Sequence, residues 1–337
     1  MRVGLPRALL YYEFGPLWET FFRSLGAEVI VSPPTTRDIL ELGIRCTVDE
    51  ACLPVKAALG HLAWLRGRCD AIFVPRVVSW QRQAYTCPKL MGLPDMALAG
   101  VTDLPPLLAP TVNVKRRPRA VYEAAREVAR PLTRDGRRVA VALHEAMAVQ
   151  ERAWADQAAG RFQPFTILPG ESDRGAQADA DVVLAVLGHP YTIYDRALSL
   201  DLIGRLRAMG ALVVTAEMLP RALAETTWEG DAKPLYWTFG RRAVGGALCF
   251  LRGDGSGPAD ARRAATVGSG GRIDGIVHLV TFGCGPDSLT GELLAGRVRQ
   301  RYGAPLLLLT VDEHTGEAGL VTRLEAFLDL IRWRKAR

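Results

Sequence analysis

Short apolar runs alternate with helix-patterned segments along the whole chain. An uninterrupted apolar run of about four to eight residues is typical of a buried strand, whereas apolar positions recurring every three or four residues predict a helix. The strands predicted in this way are 2–7, 27–32, 71–78, 139–143, 182–187, 212–216, 276–282 and 306–311. The predicted helices are a segment opening at Pro16 and closing at Gly26, then 36–42, 53–67, 120–132, 195–209, 234–251 and 322–333.

The strands are mostly apolar along their whole length and are separated by helices. This pattern is typical of parallel sheets that are covered on both faces. The segment 104–119, rich in Pro, Lys and Arg, is the predicted boundary between two halves. We therefore predict an α/β fold of two doubly wound, mainly parallel lobes over residues 1–118 and 119–337. A loose, Gly-rich loop is expected at 253–271.

Composition narrows the classes of protein to which the chain can belong. Of its 337 residues 49% are hydrophobic, enough for a substantial core, and the net charge is +6. The arginines are scattered through helical patterns without an aromatic-interleaved basic stripe, so nucleic acid is not an expected partner. No apolar run reaches the roughly 18 residues that a membrane helix needs, and the N-terminus lacks a signal-peptide pattern. We expect a globular, cytoplasmic protein without a membrane segment.

Three of the six cysteines stand just ahead of helix-patterned runs. Cys52 and Cys87 are each followed closely by a proline, and Cys284 occupies a Gly-Cys-Gly-Pro corner after a predicted strand. An iron–sulfur cluster needs soft thiolate ligands from converging loops, and backbone N–H groups at helix starts favour its negative charge. We therefore predict that these three thiols bind such a cluster. Cys46, just upstream of Cys52, is a candidate fourth ligand.

The structural alternative for any one of these cysteines is a small side chain packed in a core. Cys69, at the entry to strand 71–78, and Cys249, on the apolar face of helix 234–251, are assigned to that alternative. Zinc is the other metal considered. The paired Cys-x-x-Cys or His-bearing knuckles that zinc sites favour are missing from the sequence.

Four further residues are candidates for substrate binding. Arg7 lies at the end of the first predicted strand, and His189 and Tyr191 lie at the end of strand 182–187. Open parallel sheets bind ligands at such strand ends. Lys56, one helical turn beyond Cys52, would offset the charge of a cluster or bind an anion. The alternatives are that Arg7, His189 and Tyr191 cap strands or form hydrogen bonds within the interface between the lobes, and that Lys56 is a solvated lysine.

Motifs spread along nearly the whole chain resemble those of a known superfamily, that of the 2-hydroxyacyl-CoA dehydratases and double-cubane-cluster proteins. The resemblance is greatest to its acyl-CoA dehydratase activase-related subgroup, whose function is unknown. The matching motifs lie at 4–12, 49–56, 73–76, 87–89, 92–95, 188–191, 282–287 and 312–319.

The resemblance implies two Rossmann-like lobes with a cluster in the cleft between them, ligated by Cys52, Cys87 and Cys284. It also implies a homodimer and a separate partner, an ATP-hydrolysing actin-fold activase that supplies low-potential electrons. The chain itself has no phosphate-binding loop of the Gly-x-x-x-x-Gly-Lys-Ser/Thr type. Because Cys69 and Cys249 lie in core-like contexts, a single 4Fe–4S cluster is favoured over an eight-iron double cubane.

The function that the resemblance implies is that of an oxygen-sensitive iron–sulfur protein. It would use the activase's electrons for reduction or radical dehydration of a small or CoA-bound substrate. Two alternatives stay open: a non-catalytic electron carrier or accessory subunit with a fully ligated cluster, and a double-cubane-cluster reductase. With three thiolates one iron is open to water or substrate, whereas Cys46 as a fourth ligand would close the cluster. The sequence does not decide between these arrangements.

Overall fold

A computed structural model describes residues 1–81, 84–158, 180–227, 235–252 and 273–337. The chain divides into two compact units. The first comprises Met1–Ala153 and Tyr236–Thr238, and the second comprises Trp154–Leu235 and Phe239–Arg337. Both units contain parallel strands interleaved with helices, so the predicted α/β class with parallel sheets is confirmed. Within the described ranges, no helix is long and apolar enough to cross a bilayer.

Two parallel sheets form the framework of the first unit. Its strands are β1 (Arg2–Leu5), β2 (Glu28–Val31), β3 (Ala71–Phe73), β4 (Arg76–Ser79), β5 (Leu107–Leu108) and β6 (Thr111–Asn113). Four of them form a sheet in the order β2-β1-β3-β5, and β4 pairs with β6 in the second sheet. The central strand β1 is buried from Val3 to Leu5, as expected of a strand that is covered on both faces.

Helices connect these strands and cover them. They are α1 (Tyr11–Ser24), α2 (Arg37–Arg45), α3 (Leu53–Leu65), α4 (Pro88–Met91), α5 (Leu93–Gly100), α6 (Ala120–Ala129) and α7 (Gly136–Ala158). The start of α2 is fixed by Thr36, whose side-chain oxygen accepts a hydrogen bond from the Ile39 amide at 3.3 Å.

The second unit is built on one four-stranded parallel sheet. Its strands are β7 (Val182–Leu187), β8 (Ala211–Thr215), β9 (Gly275–Thr281) and β10 (Leu306–Val311). Their order in the sheet is β8-β7-β9-β10, so the chain leaves β7 to one side and later returns on the other. The helices are α8 (Pro190–Ile193), α9 (Leu202–Ala208), α10 (Arg221–Thr226), α11 (Thr238–Arg252), α12 (Gly285–Arg297) and α13 (Glu317–Lys335).

The long apolar strands were the best predicted elements, and β7 and β10 coincide with the predicted strands 182–187 and 306–311. The predicted strand 139–143 is wrong, because it lies inside α7. Its residues belong to a longer helical repeat in which Val139, Ala142, Leu143 and Ala146 are all buried. A five-residue apolar run is too short to show that period.

Other predicted helix and strand boundaries differ from those in the structure because of the local backbone conformation. The predicted helix 195–209 is reduced to α9, since Leu200 and Asp201 have φ angles of 52° and 54°, which interrupt a right-handed helix. The predicted strand 71–78 is divided by Val74 and Pro75 into β3 and β4. Pro16 lies inside α1 rather than opening it.

The segment 104–119, interpreted from the sequence as the boundary between lobes, supplies β5 and β6 to the first unit. That unit continues to Ala153, so the predicted division at residue 118 falls within it. The predicted loop 253–271 and the predicted helix start at Pro234 lie outside the described residues.

Candidate functional site

The three motif cysteines share one local structure. Cys52, Cys87 and Cys284 are the N-cap residues of α3, α4 and α12, each with extended backbone angles and a proline at the first or second helical position. Proline suits this place because its fixed φ matches the helix and its missing N–H has no helical partner there. In none of the three does the side chain cap the helix. The local structure therefore places each sulfur at a helix start.

Burial, Cys52 and groups at the start of α4 affect the ionisation of the Cys87 thiol. Burial raises the pKa of the Cys87 thiol above its ordinary value, and the neighbouring Cys52 thiol raises it further. The backbone amides of Leu90 and Lys89 and the Lys89 ammonium group act in the opposite direction, because they stabilise a thiolate. A hydrogen bond from Lys89 Nζ to the Glu50 carbonyl oxygen at 3.3 Å joins the two segments that carry Cys87 and Cys52.

The segment between Cys46 and Cys52 is held by two lysines. Lys56 is only 2% exposed, and its Nζ donates a hydrogen bond to the Asp49 carbonyl oxygen at 2.9 Å. Lys89 donates from Nζ to the Glu50 carbonyl oxygen at 3.3 Å. The interpretation of Lys56 as a solvated lysine is therefore wrong, while its proposed role toward an anion stays a prediction.

Cys46 occupies a different position from the other three candidates. It is the C-cap residue of α2, is partly exposed, and donates its amide to the Gly43 carbonyl oxygen at 3.0 Å. Its own carbonyl oxygen packs against Gly100, where a Cβ atom would overlap it. Its role as a fourth ligand stays a prediction.

An ion pair anchors the short helix that Cys87 begins. Arg76 on β4 binds both carboxylate oxygens of Asp95 at 2.8 Å and also donates to the Met91 carbonyl oxygen at 2.7 Å. The guanidinium group therefore joins the end of α4 to the start of α5. This contact explains the Pro-Arg and Pro-Asp motifs at 75–76 and 94–95 as supports of the Cys87 segment.

In the second unit, His189, Cys284 and Asp287 converge. A ring nitrogen of His189, the Cys284 sulfur and a carboxylate oxygen of Asp287 all lie within 4.8 Å of one another. His189 and Cys284 follow β7 and β9, the strands between which the sheet order reverses, and ligands bind at such carboxyl edges in open parallel sheets. These three are the one group of metal-ligand side chains found in the described ranges.

Two glycines create the sharp turns that present these side chains. Gly188 and Gly283, immediately before His189 and Cys284, have φ angles of 152° and 72°, which disfavour residues with a side chain. A Cβ atom on Gly188 would also lie 2.5 Å from the Leu279 carbonyl oxygen of the adjacent strand. The Gly-His-Pro and Gly-Cys-Gly-Pro motifs are thus strand-to-helix turns.

His189 is fixed on several sides. Its Nδ1 lies 2.7 Å from Asp287 Oδ2, and both side chains are buried. Tyr191 stacks on the imidazole with ring centroids 4.8 Å apart, and Phe239 meets the ring edge to face at 5.2 Å. His189 is therefore hydrogen-bonded within the second unit, and Tyr191 packs against it. Their roles in substrate binding stay predictions.

His278 and Asp287 are the residues of this site to which no role was assigned from the sequence. His278 lies on β9, is fully buried, and neither of its ring nitrogens has a hydrogen-bond partner. Burial lowers its pKa, the Asp287 carboxylate opposes that shift, and His189 adds to it. The sequence feature that could have identified His278 is its position inside the apolar run Gly-Ile-Val-His-Leu-Val-Thr at 275–281. Polar residues in such runs are uncommon unless paired.

Arg7 belongs to a polar group at the carboxyl edge of the first unit's sheet. Its amide donates to Ser32 Oγ at 2.8 Å, and its guanidinium group lies 6.0 Å from the centre of the Tyr11 ring. His61 contacts Ser32 Oγ at 2.8 Å and Thr35 Oγ1 at 3.0 Å through its two nitrogens. Burial, with a smaller effect of Arg7, lowers the pKa of His61 to about 3. Substrate binding by Arg7 stays a prediction.

The two cysteines assigned to cores are indeed buried. Cys69 Sγ lies 3.5 Å from the Leu65 carbonyl oxygen, and burial raises the pKa of its thiol. Cys249 belongs to the apolar core cluster of the second unit. Neither residue is a member of the His189, Cys284 and Asp287 group.

Comparison with known protein families finds a domain family that matches the chain. The family described as the CoA enzyme activase uncharacterised domain matches residues 2–219, more than half of the chain. The chain belongs to this family. A comparison with curated proteins finds no match.

The CoA enzyme activase domain match covers the first unit and the beginning of the second. Cys46, Cys52, Cys87 and His189 lie inside the matched segment, whereas Cys284 and Asp287 lie beyond Leu219, where it ends. The resemblance to an activase-related family is therefore confirmed, and the closer assignment to the dehydratase superfamily is not tested by this match.

Proposed function

We propose that this protein binds a 4Fe–4S cluster through the thiolates of Cys52, Cys87 and Cys284 and accepts low-potential electrons from an ATP-hydrolysing, actin-fold activase. Such a cluster supplies one-electron transfer. We also propose that both units are doubly wound and Rossmann-like. The electrons would serve the reduction or dehydration of a small or CoA-bound substrate.

The observation that carries the proposal is the proximity of Cys52 and Cys87. Two segments that are distant in the sequence each place a cysteine at a helix start with a proline in its first turn, and the hydrogen bond from Lys89 to the Glu50 carbonyl oxygen joins them. Helix starts stabilise negative charge through their free N–H groups. Cys284 repeats the same arrangement in the second unit.

The residues around these thiols fit an anionic cluster. Burial raises the pKa of the Cys87 thiol, and the amides of Leu90 and Lys89 act against this rise. Lys56 and Lys89 bring positive charge to the segment between Cys46 and Cys52. Hydrogen bonds to cluster sulfurs and nearby positive charge are the means by which a protein adjusts a cluster's reduction potential.

The test is anaerobic purification followed by iron and sulfide analysis and low-temperature EPR. We expect about four irons per chain, the content of a single cubane. Cys52→Ser, Cys87→Ser and Cys284→Ser should each lose iron, whereas Cys69→Ser, the matched buried control, should retain it. About eight irons would favour the double-cubane alternative, and normal iron in all three ligand variants would overturn the proposal.

A second experiment addresses the electron donor. The loaded protein is mixed with a candidate actin-fold activase, and the EPR signal of the reduced cluster is followed with and without ATP. We expect reduction that requires both the activase and ATP. Reduction that does not need ATP would contradict this part of the proposal, and it would leave the cluster assignment to be judged from the iron content.

The electron-carrier alternative requires a fourth protein ligand. Cys46, which is partly exposed, is the candidate for that ligand. A cluster with four protein ligands has no open iron, so an exogenous ligand should leave its EPR spectrum unchanged. A perturbed spectrum would instead support direct action on a substrate.

A further inference from the structure

Within the described ranges, the outer edge of strand β10 has no backbone hydrogen-bond partner. The strand lies at one end of the second unit's sheet and pairs in parallel with β9 over all six residues. The Phe282 amide, for example, donates to the Val311 carbonyl oxygen at 2.9 Å. Because the N–H and C=O groups of successive residues point alternately to the two sides of a strand, every second residue of β10 faces away from β9. The outward residues are Leu306, Leu308 and Thr310.

The side chains of these outward residues are poorly covered. Leu308 is 40% exposed, Thr310 is exposed and Leu306 is half-buried. Leu309 and Val311, which point to the opposite face, are buried. Strands of parallel sheets are ordinarily covered on both faces, and β8, at the other end of this sheet, is buried along its whole length. The end of the sheet formed by β10 therefore exposes an apolar strand to solvent.

The strand β10 lacks the features that prevent an exposed edge from pairing. Natural edge strands are protected by charged residues, prolines, bulges or shortness. The sequence Leu-Leu-Leu-Leu-Thr-Val contains no charged residue and no proline, and its register with β9 runs without a bulge. Its six residues are the length of an ordinary interior strand. An apolar edge of this kind is a template on which another strand can pair.

We propose that β10 pairs with β10 of a second copy of this chain, antiparallel about a two-fold axis. The two four-stranded sheets would thereby form one sheet of eight strands. The inference goes beyond the proposed function and does not rest on the cluster. The resemblance implied a homodimer but no contact surface, and the edge strand supplies one.

Antiparallel pairing matches the outer edge of β10 with itself. With the axis at Leu308, each Leu308 faces its counterpart, and Leu306 of one copy faces Thr310 of the other. Every outward N–H and C=O then meets an outward partner, and the three residue pairs exchange about six hydrogen bonds. Side chains directly opposite each other lie about 5 Å apart, so the two exposed Leu308 side chains would cover each other.

The charges at the two ends of β10 are opposite in sign. Arg299 and Arg301 precede the strand, and both are exposed. Asp312 and Glu313 follow it, and both are partly exposed. An antiparallel arrangement places the basic end of each strand beside the acidic end of the other, whereas a parallel arrangement would bring like charges together. Charge complementarity therefore favours a second copy, in antiparallel orientation, as the occupant of this edge.

The experiment is sedimentation velocity of the full chain over a range of concentrations, with hydrogen exchange of the peptide containing β10 at the same concentrations. We expect a species of twice the mass of one chain, and slower exchange of the three outward amides as that species forms. Leu308→Lys places like charges at the axis and should raise the dissociation constant about tenfold or more. Thr310→Pro removes an outward N–H and should also weaken the dimer. Leu330→Lys, at a leucine of α13 that is 43% exposed, is the matched control and should dimerise as the wild type does.

The outcomes that would overturn the proposal are distinct. A monomer at every concentration would contradict it, and so would a dimer whose β10 amides exchange as fast as in the monomer. Equal dissociation of Leu308→Lys and Leu330→Lys would place the interface away from β10. Protection of the β10 amides in a monomer by a different protein would assign the edge to that partner instead.

Two features of the design keep these outcomes interpretable. Circular dichroism establishes that each variant is folded, and the exchange comparison on the wild type needs no variant at all. The iron and sulfide content decides the cluster proposal separately, because it is measured per chain whatever the oligomeric state.

Discussion

Gly43 of α2 and Gly60 of α3 bring two helix backbones into direct contact. A Cβ atom on Gly43 would overlap the Lys56 carbonyl oxygen, and one on Gly60 would overlap the Ile39 carbonyl oxygen. Both obstacles are backbone atoms within helices, so they cannot rotate away as a side chain would. This crossing holds the end of α2 beside the start of α3 and thereby fixes the segment that joins Cys46 to Cys52.

Gly60→Ala should destabilise the protein, although alanine favours an isolated helix by about 1 kcal/mol. The added methyl group must force the helices apart, and we expect the free energy of unfolding to fall by about 3 kcal/mol or more. Urea unfolding measures the change. Gly136→Ala is the control, since no atom lies within 4 Å of its Cβ position. Equal stability of the two variants would show that the helices do not cross this closely.

This close crossing of two helices could not be predicted from the sequence, although one of the helices could. The pattern around Cys52, a cysteine followed by proline and an apolar run, correctly predicted the helix α3, because its start and its face are local properties. The partner of Gly60 is not a local property. Two isolated glycines in helical patterns indicate only a loss of helix propensity until the packing is known.

The candidate site likewise has local features that the sequence predicted and a long-range contact that it did not. The turns before His189 and Cys284 were predicted as strand ends because glycine and proline follow apolar runs. The contact between His189 and Asp287 depends on β7 pairing with β9, which are far apart in the sequence. The error at 139–143 has a different cause, since a short apolar run fits both a strand and one face of a helix.

His61 should make the stability of the protein depend on pH. Its pKa is about 3 in the folded state because of burial and the nearby Arg7, against about 6.5 in an unfolded chain. Between these values the unfolded state binds a proton that the folded state does not. The free energy of unfolding should therefore be unaffected by this group above about pH 6.5 and fall by about 1.4 kcal/mol per pH unit below it.

The measurement is urea unfolding between pH 5 and pH 7 of the wild type and His61→Gln, which retains polar atoms toward Ser32 and Thr35. Carboxylates titrate in both proteins, so the difference between the two isolates His61. We expect the wild type to lose about 2 kcal/mol more than the variant across this interval. His314→Gln, which changes an exposed histidine, should behave as the wild type. Parallel curves for wild type and His61→Gln would contradict the prediction.

The thiol of Cys87 should respond to substitutions of its neighbours in the metal-free, reduced protein. Its pKa lies above the ordinary value, first because of burial and then because of Cys52, while the Lys89 ammonium group lowers it. The thiolate is the reacting form toward iodoacetamide, so the alkylation rate at each pH reports the ionised fraction. Cys52→Ser should move the pH–rate curve of Cys87 to lower pH, and Lys89→Met should move it to higher pH.

Mass spectrometry of the peptide that contains Cys87 follows the reaction without interference from the other thiols. Cys69→Ser is the matched control. The charged group with the largest effect on the pKa of the Cys69 thiol is Arg2, not Lys89, so Cys69 lies in a different environment from Cys87. A Cys87 curve that stays unchanged in Cys52→Ser would mean that the two sulfurs are not neighbours. Since their proximity is the observation on which the cluster proposal depends, this experiment tests the geometry of the proposed ligands before any iron is added.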